Sequence, residues 1–170
     1  IMSAIKGRDA IYVWTDTALF LMQFVGQPFT FAFQQAGTNC GLIGKNAAVE
    51  VDGSAYWMSE NGFFNYDGQL KSMPCLVEDF VYDSLNSVPR DLFNAGVNNL
   101  FGEINWFYCS ANSNVVDRVV TYNYLDSSRE RPIWTVGSLD RTAWQDSAVY
   151  DKPHATYFDA TDNASFDVTG

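Results

Sequence analysis

Histidine and cysteine are nearly missing from this sequence. His154 is its only histidine in 170 residues, and the cysteines stop at Cys40, Cys75 and Cys109. The cysteines lie 35 and 34 residues apart with no C-x-x-C pair, so the usual zinc and disulfide patterns are absent. Three buried, reduced thiols are expected instead, as suits a small apolar side chain in a reducing cytoplasm. Basic residues are scarce as well. Ten Lys and Arg face twenty Asp and Glu, a formal net charge of −10, whereas nucleic-acid affinity comes largely from cations displacing condensed counterions. Sequence-specific DNA binding is therefore not expected. No run reaches the roughly 18 uninterrupted apolar residues of a membrane span. The opening "IMSAIKGRDA" has neither the apolar centre nor the cleavage site of a signal peptide, so the expectation is a protein neither inserted in a membrane nor exported. Ile1 precedes Met2, which suggests part of a longer polypeptide.

Reactive patterns are equally thin. His154 has no G-x-S-x-G elbow to serve and no cysteine in a catalytic setting, so it reads as an ordinary surface or core histidine. "DATDN" at 159–163 offers oxygen ligands without the glycine and closing glutamate of a calcium loop, and it reads as a solvated turn. "YDGQLKSMP" and "NNLFG" carry no phosphate-binding glycine pattern. Neither a catalytic residue nor a cofactor or metal site is assigned.

What the chain has is aromatic and β-branched residues in short runs. Hydrophobic residues make up 47% and aromatic residues 16%, with 18% charged; this is a folded, strand-rich composition with little helix. "AIYVWTD" (10–16), "ALFLMQFVG" (18–26) and "PFTFAF" (28–33) form a small antiparallel meander, the last alternating through Phe29, Phe31 and Phe33. After a Gly-rich connector at 36–46, three turn signals follow in quick succession: Asp52-Gly53, Asn61-Gly62 and Asp67-Gly68. Such pairs tolerate the positive φ of tight hairpins, so they specify a four-stranded up-and-down sheet of about thirty residues. "LVEDFVYDSLN" (76–86) reads as the single helix, with Leu76 and Phe80, then Val77, Val81 and Leu85, on an apolar side facing the sheets. Strand patterns return at 93–98, 102–110, 117–125 and 131–137, with a longer hairpin through "ANSNV". A third group at 141–151, 154–160 and 164–170 is incomplete at the end of the sequence.

Two of these groups echo one another. Trp57 and Tyr66 stand in the second and third strands of one, Trp106 and Tyr122 in the same places of the other, and the tryptophans are 49 residues apart, near the interval of propeller blades. Four-stranded units whose strands are apolar on both sides are satisfied by radial stacking, since each sheet then buries both faces. The expected fold is all-β: propeller-like antiparallel four-stranded blades at 8–34, 46–74, 93–137 and 141–170, with one short helix, in a single domain over 1–170.

The connector "CGLIGKNAAVEVDGSAYWMSENGFFNYDGQLKSMPCLVEDFVYDSLN", then "FGEINWFYCS", "DRVVTYNYLDSSRERPIWTVG", "RTAW" and "TYFDATD", resembles the nozzle or hub proteins of short-tailed bacteriophages, also called packaged-DNA stabilisation proteins. The resemblance runs from about Ile11 to Asp162, although members of that family are commonly several times longer. It implies a virion structural protein, not an enzyme: a β-propeller-based tail subunit, assembled in the host cytoplasm. It also implies copies arranged in a ring, usually six-fold, with neighbouring tail and adaptor proteins, around a conduit through which phage DNA passes without sequence-specific binding. An acidic wall suits such a conduit, because repulsion keeps the duplex centred. Arg129, Arg131 and Arg141 are read as a solvated basic loop, with contact to an acidic neighbouring subunit as the sharper reading. The competing class is a carbohydrate-binding or glycoside-cleaving propeller for receptor recognition, in which Trp14, Trp57 and Trp106 would stack on sugars while Asp16, Glu60 and Asp67 supplied acid and base. Asp67 and Glu60, however, sit at hairpin turns, where such residues occur for backbone reasons.

Overall fold

A computed structural model describes residues 1–146, 152–156 and 166–167. The chain is nearly all β, in antiparallel sheets whose strands follow one another in sequence order. The first sheet comprises β1 (Ser3–Lys6), β2 (Ile11–Trp14), β3 (Ala18–Phe24) and β4 (Phe31–Thr38). The second comprises β5 (Ala48–Val51), β6 (Ser54–Ser59), β7 (Gly62–Tyr66) and β8 (Leu70–Met73). The third comprises β9 (Asn94–Asn98), β10 (Glu103–Tyr108), β11 (Arg118–Asn123) and β12 (Trp134–Gly137). A last sheet has three strands, β13 (Ala143–Gln145), β14 (His154–Thr156) and β15 (Phe166–Asp167). The remainder of the 141–170 group lies outside the described residues. The chain divides into two compact units, Ile1–Met73 and Pro74–Gly170.

Local chemistry accounts for the hairpins of the second sheet. At β5–β6 the two-residue turn has φ 50° at Asp52 and 86° at Gly53, the left-handed pair that matches the twist of the flanking strands. Glu50 Oε1 accepts the Gly53 N–H across this turn. The β6–β7 turn falls one residue earlier than its Asn-Gly signal suggests: Ser59 pairs with Gly62, leaving Glu60 and Asn61 as the loop. Gly62, at φ 118°, takes the left-handed position as the strand begins. At β7–β8, where Tyr66 pairs with Leu70, the Asp67 carboxylate accepts the Gln69 N–H at 3.3 Å and bonds Lys71.

In the first unit, one face of the first sheet packs on one face of the second. Trp14 meets Trp57 edge-on with centroids 5.4 Å apart, Tyr12 meets Tyr66 at 5.5 Å, and Trp57 stacks on Phe64 at 5.8 Å. The connector is no loose tether: Cys40, Leu42, Ile43 and Ala47 are all buried. Its backbone bonds reach both sheets, from Cys40 N to Thr17 O, from Leu42 N to Thr15 O and from Ile43 N to Met58 O. Wholly burying each of Trp14, Leu19, Trp57, Met58 and Phe63 contributes about 1.5–3 kcal/mol per side chain. Met58, Phe63 and Met73 lie on the second sheet's other face and are buried too, so that sheet is apolar on both sides.

In the second unit the third sheet lies against the last one. Gly96 makes this possible, because a Cβ there would stand 2.2 Å from Trp144 Cδ1. Trp144 packs on Phe107 at 5.6 Å and donates its indole N–H to Val97 O at 2.9 Å. The helix, α1 (Glu78–Asp83), is shorter than the 76–86 stripe suggests and corrects its expected burial. Val81 is wholly buried, but Leu76 and Phe80 are exposed. Leu85 leaves the helix altogether and bridges Ser110. A stripe at i, i+4 fixes which residues share a side without fixing what covers it.

The echo between groups holds at the level of register. Trp57 is the fourth residue of β6 and pairs with Phe64; Trp106 is the fourth of β10 and pairs with Val120. Tyr66 and Tyr122 each stand two residues beyond those partners, on the tryptophan's face. Trp14 is also the fourth residue of its sheet's second strand. Because Trp14 and Trp57 point at each other, the first sheet presents its tryptophan to the sheet that follows and the second presents its own to the sheet before.

Candidate functional site

The tryptophans that would stack on sugars in the competing reading are unavailable for that purpose. Trp14 and Trp57 are 0% exposed and Trp106 1%, so each is core. Trp57 donates its indole N–H to Cys40 O at 2.7 Å. The Trp14 N–H meets no acceptor among the described residues. Of the three carboxylates, Asp16 and Glu60 are exposed on turns away from any described cavity. Asp67 lines a cleft.

That cleft, about 200 Å³, opens in the first unit between the β1–β2 turn and the hairpin turns of the second sheet. Arg8, Asp9, Tyr12, Gln23, Tyr66 and Asp67 contribute its side chains. Arg8 donates to Asp52 O at 2.8 Å and Tyr12 Oη to Gly53 O at 3.1 Å, which fixes the wall where Gly53 leaves room for the guanidinium. Burial pushes the Tyr12 phenol above its ordinary pKa, helped by Tyr66, Glu50 and Asp9. Asp67 moves the other way, held below its usual value chiefly by the hydrogen bond from Lys71. A glycosidic general acid needs a raised pKa so that it keeps its proton near neutrality. Asp67 is therefore tuned against that role. The cleft can exchange hydrogen bonds through Arg8, Asp9, Gln23 and Asp67 and offers tyrosine to a flat group.

All three cysteines are free thiols. Cys40 and Cys109 are buried as expected, while Cys75 is half-buried. Burial pushes Cys75 up to about 12 and, with the Asp117 charge, Cys109 up to about 11; it raises Cys40 as well. Among the described residues no group of three His, Cys, Asp or Glu side chains could hold a metal.

The expected basic loop separates into unlike members. Arg129 and Arg131 are exposed beside a tight turn in which Ser128 and Arg131 exchange backbone bonds. Arg141 is buried at 9% exposure against Asp140, and Asn94 donates to its carbonyl at 3.2 Å. A solvated cation describes only the first two. The acids behave as their number suggests, since no described carboxylate is buried.

Sequence reasoning missed the most exposed apolar surface. In the first unit Phe24, Val25, Phe29, Phe31 and Phe33 are 73%, 53%, 74%, 52% and 62% exposed, all from β3, β4 and the turn between them. The alternation through Phe31 and Phe33 signalled a strand with one apolar face, but not that this face would remain uncovered. A second patch, in the other unit, is a cavity of about 450 Å³ walled by Leu92, Val115, Val116, Asp117, Asp140 and Thr142. Among the described residues no helix is long and apolar enough to cross a membrane. Neither the protein-family models nor the curated proteins contain a match to this chain.

Proposed function

We propose that the chain is a structural component of a bacteriophage tail, a nozzle or hub subunit whose sheets are blades of a partial or small β-propeller. The observation that carries this reading is the sheet architecture: three successive four-stranded meanders, each in strict sequence order. Sequential four-stranded meanders are the unit from which radial β architectures are made. The sequence resemblance to short-tailed phage nozzle proteins adds the role. In it, copies of the chain form a ring with neighbouring tail and adaptor proteins, and DNA passes a surface whose exposed carboxylates repel phosphate. Catalysis is not part of the reading, because the tryptophans that would stack on sugar are core and the lowered pKa of Asp67 does not suit a general acid.

Negative-stain electron microscopy of the purified chain, paired with a gel-shift assay on duplex DNA at low salt, tests the reading. Rings without DNA retardation are the expected result. Tight DNA binding, or particles that never close, would overturn it. The tyrosine-lined cleft favours a second reading, a carbohydrate-contacting module for receptor recognition. Calorimetric titration with oligosaccharides, and loss of the signal in Tyr66→Ala, would favour that reading over the first.

A further inference from the structure

We infer that the uncovered face of the first sheet is a self-contact, at which a second copy of this chain packs the same face about a two-fold axis. The face is defined by ladder register. Ile11 pairs with Met22, Met22 with Phe33 and Phe24 with Phe31. Side chains alternate along a strand, so Phe20, Met22, Phe24, Phe31 and Phe33 share one side of the sheet. Tyr12, Trp14, Leu19 and Leu21 occupy the other, which the second sheet covers. Phe24 and Phe31 meet edge-on at 6.0 Å, and nothing among the described residues lies over them.

Two observations select a second copy as the occupant. The first is charge. The chain carries a formal −10, so copies repel one another, yet no charged residue occurs between Asp16 and Lys45. That interval holds β3, β4 and their turn, so this half of the face is free of charge, and the ladder that runs Lys6, Ile11, Met22, Phe33 puts a lysine, not a carboxylate, at its β1 edge. Like can meet like there without opposing carboxylates, whereas a basic partner would find no carboxylate to pair with. The second is area. With about 200 Å² for a wholly exposed aromatic side chain, Phe24, Phe31 and Phe33 together with Phe29, the preceding member of the same alternation, present roughly 520 Å² of apolar surface. Two copies would then bury about 1,000 Å², the size a specific interface has to clear. A contact of this kind has both sheets about 10 Å apart with the phenylalanines interdigitated, and it is closed by symmetry, so it stops at two sheets. It does not depend on the phage reading.

Sedimentation velocity across a concentration series on the whole chain tests the inference. Wild type is expected to pass from monomer to dimer in the micromolar range. The double substitution Phe31→Lys with Phe33→Lys should weaken dimerisation by at least about tenfold, with an unchanged far-UV spectrum and urea midpoint, because both positions face solvent in the monomer. Phe80→Lys, an exposed phenylalanine in the other unit, serves as control and should leave the dimer intact. A monomer at every concentration overturns the inference. So does a dimer that survives the strand substitutions, or one lost with Phe80→Lys. Rings that persist in the doubly substituted chain would overturn this contact and keep the tail reading; dimers that never form rings would do the reverse.

Discussion

Two buried indoles in the first unit should respond differently to the same substitution. Trp14 and Trp57 are both 0% exposed and contact each other at 5.4 Å, so replacing either with Phe loses that contact equally. Each change also removes a few tens of cubic ångströms from a packed core, a cost of about 1 kcal/mol at ~24 cal/mol per Å³ of cavity. The hydrogen bonds differ. Trp57→Phe strips the buried Cys40 carbonyl of a donor 2.7 Å away, adding about 1–3 kcal/mol. Trp14→Phe removes an N–H that has no acceptor among the described residues, so a comparable unfavourable desolvation disappears. Trp57→Phe should therefore cost about 2–4 kcal/mol, and Trp14→Phe should stay within about 1 kcal/mol of wild type. For a urea slope of about 1–3 kcal/mol per molar, the midpoints separate by roughly 1 M. Circular dichroism in a urea series reads this directly, and each variant keeps four tryptophans for a fluorescence check. Equal destabilisation, or a larger loss in Trp14→Phe, would refute the hydrogen-bond argument.

Other outcomes follow from the same coordinates. Gly96→Ala forces a methyl group to within 2.2 Å of the Trp144 ring and should destabilise the second unit by about 1–3 kcal/mol, read as a lower thermal midpoint. Val81→Ala should cost about 1–2 kcal/mol, because the side chain is wholly buried, whereas Phe80→Ser on the exposed side of α1 should stay within about 0.5 kcal/mol of wild type. At pH 8 a thiol reagent should label native protein very slowly and all three cysteines in urea, since burial raises each thiol and takes Cys75 to about 12 and Cys109 to about 11. The same shifts set an alkaline limit. The folded thiols keep their protons where the unfolded ones lose them, so stability present below about pH 8.5 falls as the pH rises toward 11–12. A urea midpoint independent of pH between 9 and 11 would contradict the thiol shifts.

The parts of the fold that sequence reasoning reached are those set locally. Asp52-Gly53 specifies a turn through its own φ angles, and the alternation around Trp57 and Trp106 specifies strands, so the second and third sheets emerge with nearly their full register. β1 escaped notice because Ser3–Lys6 is a short strand with little apolar pattern, paired by backbone to β2. What depends on distant neighbours stayed hidden. Phe80 and Val81 are adjacent helical residues of similar hydrophobicity, and only packing decides that one is exposed and the other core. Arg141 looked like a surface cation until Asn94 and Asp140 were placed around it. The cleft was half legible: Tyr66 and Asp67 were noticed as repeat and turn residues, while Arg8 and Asp9 reach it from some sixty residues upstream in the chain.

The connector between the first two sheets has a consequence for how this chain tolerates change. Cys40, Leu42 and Ile43 bond to loop 15–17 and to Met58, and the Cys40 carbonyl anchors Trp57. A spacer held at so many points has a fixed length. One inserted residue would pull out of step every anchor after it, and the indole that depends on one of them. Changes of chain length are better absorbed at an exposed hairpin tip within a sheet, such as Ala111-Asn112 between β10 and β11, on which no spacing between sheets depends.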